Sequence, residues 1–182
     1  MDRRSFIAGA AAAAAFPLSA YASPGIPASP DLVGAFRAVP GVSEGNGPGT
    51  LHVLFAPWCH VSPTLYRQSR PFLRKLTIRW IPFSGGQPEG SEAVERLLSN
   101  PFPSSVASAF TPLQPLGVRP ATPKADAQDA SVHSRIEPRL VRDTGRGLVT
   151  PTLAYLTKGG MARVIPGGIG PEELEAIAAV AG

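Results

Sequence analysis

The stretch APWCHVSP, residues 56–63, carries the only cysteine of this chain. It follows LHVLF (51–55), a short apolar run suited to a buried strand. It leads into HVSPTLYRQSRPFLRK (60–75), where Leu65, Phe72 and Leu73 recur at helix-compatible intervals. Pro63 suits a first helical turn, where its missing N–H costs nothing, and Pro71 should kink or end the helix. Cys59 therefore stands where a strand hands over to a helix, with Ser62 three residues on. A lone cysteine is commonly an inert buried hydrophobe, so the surroundings decide the reading.

Those surroundings favour an anion. At a helix start the sulfur meets unpaired backbone N–H groups and the positive end of the helix dipole. There a thiol pKa can fall from about 8.5 to between roughly 3.5 and 7.5. A charged His60 adds to the effect, and Ser62 can donate its hydroxyl to the sulfur anion. A structural cysteine gains nothing from such neighbours, so Cys59 is read as a nucleophile tuned by His60 and Ser62. Thiolate and imidazole also suit Cu(I), but adjacent helix residues chelate one ion poorly and no second soft ligand is near. The sequence calls for no metal and no cofactor.

Working outward, LTIRWIPF (76–83) alternates Leu76, Ile78 and Trp80 with polar residues and reads as a second strand with Trp80 in the core. Ser91 to Leu98 reads as a short helix capped by Ser91. Pro101, Pro103, Pro112, Pro115, Pro120 and Pro123 exclude regular structure of any length over 100–123. Within it Phe102, Phe110, Leu113 and Leu116 are too apolar for a free linker, so the segment should pack onto the body. Residues 125–143 read as one or two polar helices broken at Pro138. Arg135, Arg139, Arg142 and Arg146 form a solvated face there, able to receive an acidic partner. PTLAYLT (151–157) and MARVIPG (161–167) pair as a hairpin through KGG. GPEELEAIAAVA (170–181) closes the chain as a helix started by Pro171. His52 in a strand and His133 in a polar helix are read as structural or surface residues.

The chain has 182 residues, enough for one domain with a proper core. Residues 1–22, MDRRSFIAGAAAAAAFPLSAYA, show a basic start, an alanine-rich apolar middle and A-Y-A before Ser23, the layout of a cleaved export signal. Arg3 and Arg4 followed by Phe6 and Ile7 resemble a twin-arginine signal, an address read by a receptor. The mature chain is expected from about Ser23, in a bacterial periplasm and not integral to the membrane. Residues 23–50, rich in Pro, Gly and Ser, read as a flexible linker with a short helix around Leu32 to Val39. The full chain carries a net charge of +4 without any dense Lys/Arg block, which argues against nucleic acid as a partner. The periplasm favours disulfides, yet one cysteine makes no internal one; its thiol is free, capped by a small thiol or shared with another molecule.

WCHVS (58–62) resembles the W-C-x-x-C site of the thioredoxin superfamily, with Ser62 where the second cysteine stands. LVTPT (148–152) resembles that superfamily's cis-proline loop. The run from Gly147 to Ile177 is similar, in order and spacing, to the end of the catalytic domain of bacterial periplasmic Dsb-type disulfide isomerases. The resemblance spans Leu51 to Ala179. It implies an α/β, thioredoxin-like fold over 51–182: a central mixed β-sheet flanked by helices, with a Pro-rich, helical insertion at about 84–147 before the cis-proline strand. It also implies that Pro151 faces Cys59, and that Thr150 and Pro151 hold the backbone of an extended substrate. Trp58 would then shield the sulfur and face substrate, although core packing suits its ring equally. Read without the resemblance, Pro151 is a strand-initiating proline.

The missing second cysteine restricts the chemistry. Thiolate attack on a disulfide gives a mixed disulfide, and Ser62 cannot eject the captured partner. Net oxidation of a dithiol in one visit is excluded. Isomerisation resolved by the substrate's own thiol, reduction completed by an external thiol, and lasting capture all remain open. The expected partners are thiol- or disulfide-containing periplasmic proteins and an external thiol reductant. The competing class is a redox-inactive binding or chaperone-like module that uses the same groove.

Overall fold

A computed structural model describes residues 23–111 and 121–182. The expected export signal, with Arg3 and Arg4, and the apolar Leu113 and Leu116 lie outside the described residues. Among the described residues six strands form one sheet: β1 (Ile26–Ala28), β2 (Val42–Glu44), β3 (Gly49–Phe55), β4 (Leu76–Pro82), β5 (Thr152–Leu156) and β6 (Ala162–Pro166). Their order is β1-β6-β5-β3-β4-β2. Only β3 and β4 run parallel, joined by the right length of chain for a helical crossover; every other pairing is antiparallel. The sheet is mixed, as the resemblance implied.

Alternation along β3 divides the core. Leu51, Val53 and Phe55 face one cluster with Trp80, Tyr155, Leu65 and Ile177, while Leu54 faces a second with Phe36, Ile81 and Val164. Helices α2 (Ser62–Ser69) and α7 (Pro171–Val180) cover the first face. It also takes Leu97 of α3 (Pro88–Ser99) and Val106 of α4 (Pro103–Ala109). The second face is covered by α1 (Pro30–Ala38) and by the run α5 (Pro123–Ser131), a π-helical turn Val132–Ile136, and α6 (Glu137–Thr144). Among the described residues no helix is long and apolar enough to cross a membrane.

Several expectations need correction. Residues 23–50 are not a flexible linker: they supply α1 and both edge strands of the sheet. The reason is side-chain burial that Pro/Gly-rich composition hides. Leu32 and Phe36 are fully buried, Glu44 binds Arg70 at 2.6 Å and Trp80 Nε1 at 2.9 Å, and Tyr155 donates to Pro24 O at 2.7 Å. Ser91 does not cap α3, which begins at Pro88; its hydroxyl instead donates to Ser84 Oγ at 3.1 Å. The proline-rich segment does contain a helix, α4, because Pro103 falls in its first turn, where the ring is harmless. Phe110 packs there on Phe55 and Tyr66, but Phe102 is 64% exposed, contrary to expectation.

Pro138 does not break its helix. The π-helical turn ahead of it reroutes Glu137 N–H to Val132 O, a wider step that seats the ring in the first turn of α6. The expected break at Pro71 is seen: α2 ends at Ser69 and a short 3-10 turn, Arg70–Phe72, comes next. The KGG hairpin joins β5 to β6 in register, with Thr157 N–H donating to Met161 O at 2.8 Å.

Candidate active site

Because β3 and β4 are parallel neighbours, the loops leaving their C-terminal ends lie side by side, and Phe83 N–H extends the pairing to Phe55 O at 2.8 Å. After β3 the chain turns tightly: Cys59 N–H donates to Ala56 O and Ser62 N–H to Cys59 O, both at 3.1 Å. α2 begins at Ser62, so Cys59 occupies the turn ahead of the helix. β5 pairs antiparallel with β3, which returns the chain just before it to the same end of the sheet. The Thr150–Pro151 peptide is cis. There the Cys59 thiol donates to Thr150 O at 3.1 Å, across 91 residues of sequence. The two motifs meet.

Cys59 is 8% exposed, yet it belongs to neither apolar cluster. Burial pushes its pKa up. Hydrogen bonds from Val61 N–H, the Thr150 and Ser62 side chains and Ser62 N–H together outweigh that, and the thiol sits below its ordinary value. Ser62 is fully buried and its hydroxyl has no partner while the sulfur is protonated. Ionisation of Cys59 gives that hydroxyl an acceptor. Thr150 O acts the other way, since an acceptor beside the sulfur favours the protonated form.

His60 is exposed, and among the described residues its imidazole has no hydrogen bond to the sulfur. Pro151 is buried at the base of the site, and its carbonyl accepts from Gly167 N–H at 2.8 Å. His52 is buried on β3 away from the site, against Phe36. His133 is on the surface, 2.8 Å from Glu137. In the arginine series, Arg139 and Arg142 both bind Asp31 of α1, which ties α6 to the first helix. No three His, Cys, Asp or Glu side chains converge as metal ligands among the described residues.

Trp58 is 51% exposed, and its Nε1 donates to Ser84 O at 2.7 Å. Ser84 is held in turn by Asp129 of α5, which accepts from its N–H at 2.9 Å and from its hydroxyl at 2.5 Å. Ser84 and Asp129 are additions that the sequence reading missed. Ser84 was findable, since parallel pairing of β3 with β4 sets the residues after Pro82 beside those after Phe55. Asp129, 45 residues further along, left no such signal.

No protein-family model matches the chain, and no curated protein matches it. Solved structures do. The catalytic domain of Proteus mirabilis ScsC is similar at 12% identity and a TM-score of 0.55, over 76% of this chain and 87% of that one. A periplasmic thioredoxin-like protein from Salmonella enterica serovar Typhimurium is similar at 15% identity and 0.53, over 81% and 94%. A disulfide interchange protein from Neisseria gonorrhoeae is similar at 19% identity and 0.51, over 76% and 93%. At such identities the likeness is one of fold. The chain has the thioredoxin-like fold, of the kind shared by Dsb-type proteins.

Proposed function

We propose that this protein is a monothiol thiol–disulfide exchange factor of the bacterial periplasm, acting through Cys59. The observation that carries this reading is the sulfur's setting: outside both apolar clusters, beside Thr150 and the cis Pro151, with Val61 N–H and Ser62 serving its anion. The export-signal features of residues 1–22 support the compartment. Similar folds named as a periplasmic thioredoxin-like protein and a disulfide interchange protein support both compartment and chemistry.

The Cys59 thiolate attacks one sulfur of a substrate disulfide, forming a Cys59–substrate disulfide and releasing the other sulfur as a thiolate. The substrate's own thiolate then attacks the mixed bond, leaving a rearranged disulfide and free Cys59. In reduction an external thiol attacks the Cys59 sulfur and releases the substrate thiolate, and a second external thiol frees Cys59 as the two external thiols leave joined by a disulfide. Thr150 and Pro151 hold the substrate backbone, Trp58 faces substrate, Ser62 supports the anion, and His60 adds positive charge at the mouth when protonated. The partners are thiol- or disulfide-containing periplasmic proteins and a thiol reductant.

The 8% exposure of Cys59 favours the competing reading, a redox-inactive module that captures partners in the same groove. Alkylation rate against pH separates the two. Exchange chemistry requires the rate to climb through a midpoint below the ordinary thiol value of about 8.5, and Cys59→Ala to lose every disulfide-linked partner. A sluggish thiol titrating at or above that value sinks the exchange reading.

A further inference from the structure

Trp58 is 51% exposed, yet it is firmly held. A hydrogen bond to Ser84 O fixes Nε1. Gly90 lets α3 approach so closely that an added Cβ would lie 2.8 Å from Trp58 Cδ1 and 3.0 Å from Ser84 O. Gly85, at φ +60°, presses the loop to the six-membered end of the indole, where a Cβ would lie 3.3 Å from Cζ2. Asp129 secures that loop by accepting from Ser84 N–H, from the Ser84 hydroxyl and from Gly86 N–H at 3.2 Å. Core packing alone would bury the indole; this arrangement displays it.

Beside the ring opens a cavity of about 260 Å³ walled by Pro57, Trp58, Gly90, Ala93, Ala109 and Phe110. Glu89 and Thr111 complete its lining, which is otherwise apolar, and two of its walls are the residues that immediately precede Cys59. A substrate joined to Cys59 by a disulfide is tethered there, and an extended chain advances about 3.3 Å per residue. Side chains one or two positions from the attacked cysteine therefore come within reach of Trp58. An aromatic wall fixed in advance loses no rotamer freedom on binding, which is how rigid anchors raise affinity.

We infer that this cavity receives an apolar side chain, aliphatic or aromatic, of the protein substrate next to the cysteine that Cys59 attacks, and that Asp129 is the positioning residue that sets its wall. The inference rests on the exchange reading and adds a substrate preference to it.

The test uses synthetic peptides whose single cysteine is disulfide-bonded to thionitrobenzoate and flanked by leucine, phenylalanine or serine. Cys59 forms a disulfide with the peptide sulfur, the bond to thionitrobenzoate breaks, and the coloured thiolate released gives the rate. Leucine and phenylalanine peptides are expected to react about tenfold faster than the serine peptide, the scale of discrimination an apolar pocket provides. Trp58→Ala should bring the ratio close to one. Asp129→Asn should lower it while moving the ¹⁹F resonance of 5-fluorotryptophan at position 58 and leaving that of the buried Trp80 in place. If Asp129→Asn shifts both resonances, the fold itself has loosened, and Thr111→Trp, which fills the cavity from its exposed rim, decides by abolishing or keeping the preference. Equal rates for all peptides, or a preference that survives Trp58→Ala or Thr111→Trp, overturn the inference while exchange stands. If no peptide releases thionitrobenzoate, exchange and pocket fall together.

Discussion

At the scale of the residue, Cys59 balances opposed neighbours. Thr150 O, 3.1 Å away, stabilises the protonated thiol, whereas Val61 N–H and Ser62 stabilise the anion. The net effect lies below an ordinary thiol, which suits attack near neutral pH. On the exchange reading proposed above, Ser62 would set the lifetime of a mixed disulfide. Its hydroxyl supports the anion but cannot displace a captured partner. Restoring a thiol there, Ser62→Cys, should speed release of a mixed disulfide on the order of a hundredfold or more, because the attacking sulfur is already in place. Chasing a preformed adduct of Cys59 with a chromogenic thiol and timing its loss measures this, and release as slow as in the parent chain would show that position 62 is out of reach of the adduct.

At the scale of the element, β2 shows why residues 23–50 are structural. Glu44 is 5% exposed and takes two hydrogen bonds through one oxygen, from Arg70 at 2.6 Å and from Trp80 Nε1 at 2.9 Å. Removing the carboxylate leaves the buried indole N–H without an acceptor, a loss of about 1–3 kcal/mol. Glu44→Ala should lower unfolding stability by about 2 kcal/mol in urea titration, with the slope of the transition unchanged. A variant as stable as the parent would mean that this edge of the sheet contributes little. The composition of the segment concealed this, since Pro and Gly mark turns without revealing whether the residues between them are buried. β3 was legible as a short apolar run, β4 by its alternation of apolar and polar residues, and the hairpin of β5 and β6 by its KGG turn.

At the scale of the whole molecule, a buried imidazole limits stability in acid. His52 is 2% exposed, and its Nδ1 has no hydrogen-bond partner. Burial first, then the charges of Arg79 and Arg37, hold its pKa down at about 4. The folded state therefore keeps the ring neutral where the unfolded chain, titrating near 6.5, already binds a proton. Stability should be full above pH ~6.5, decline as pH falls towards about 4, and have lost about 3 kcal/mol from this group once below it. Asp143, held at about 2 by Arg142 and despite burial, acts only at lower pH. His52→Leu should flatten the decline between pH ~6.5 and 4 in a series of denaturant titrations. An unchanged decline would assign the acid sensitivity to other groups.

Short-range signals in the chain were enough to set Cys59 between strand and helix, to mark the closing hairpin by its KGG turn and the cis-proline loop by resemblance, and to show that Ser62 leaves no resolving thiol. These are local features, written in short runs of apolar residues, turn residues and the identity of one side chain. Tertiary packing decided how Trp58 is held, through Ser84 and an aspartate contributed by a distant helix. It also decided that residues 23–50 form both edges of the sheet and that Pro138 lies in an unbroken helical run. The first two share a cause: each depends on contacts between residues far apart in the chain, beyond the reach of any local pattern, whereas the third rests on the wider hydrogen-bond step from Glu137 N–H to Val132 O.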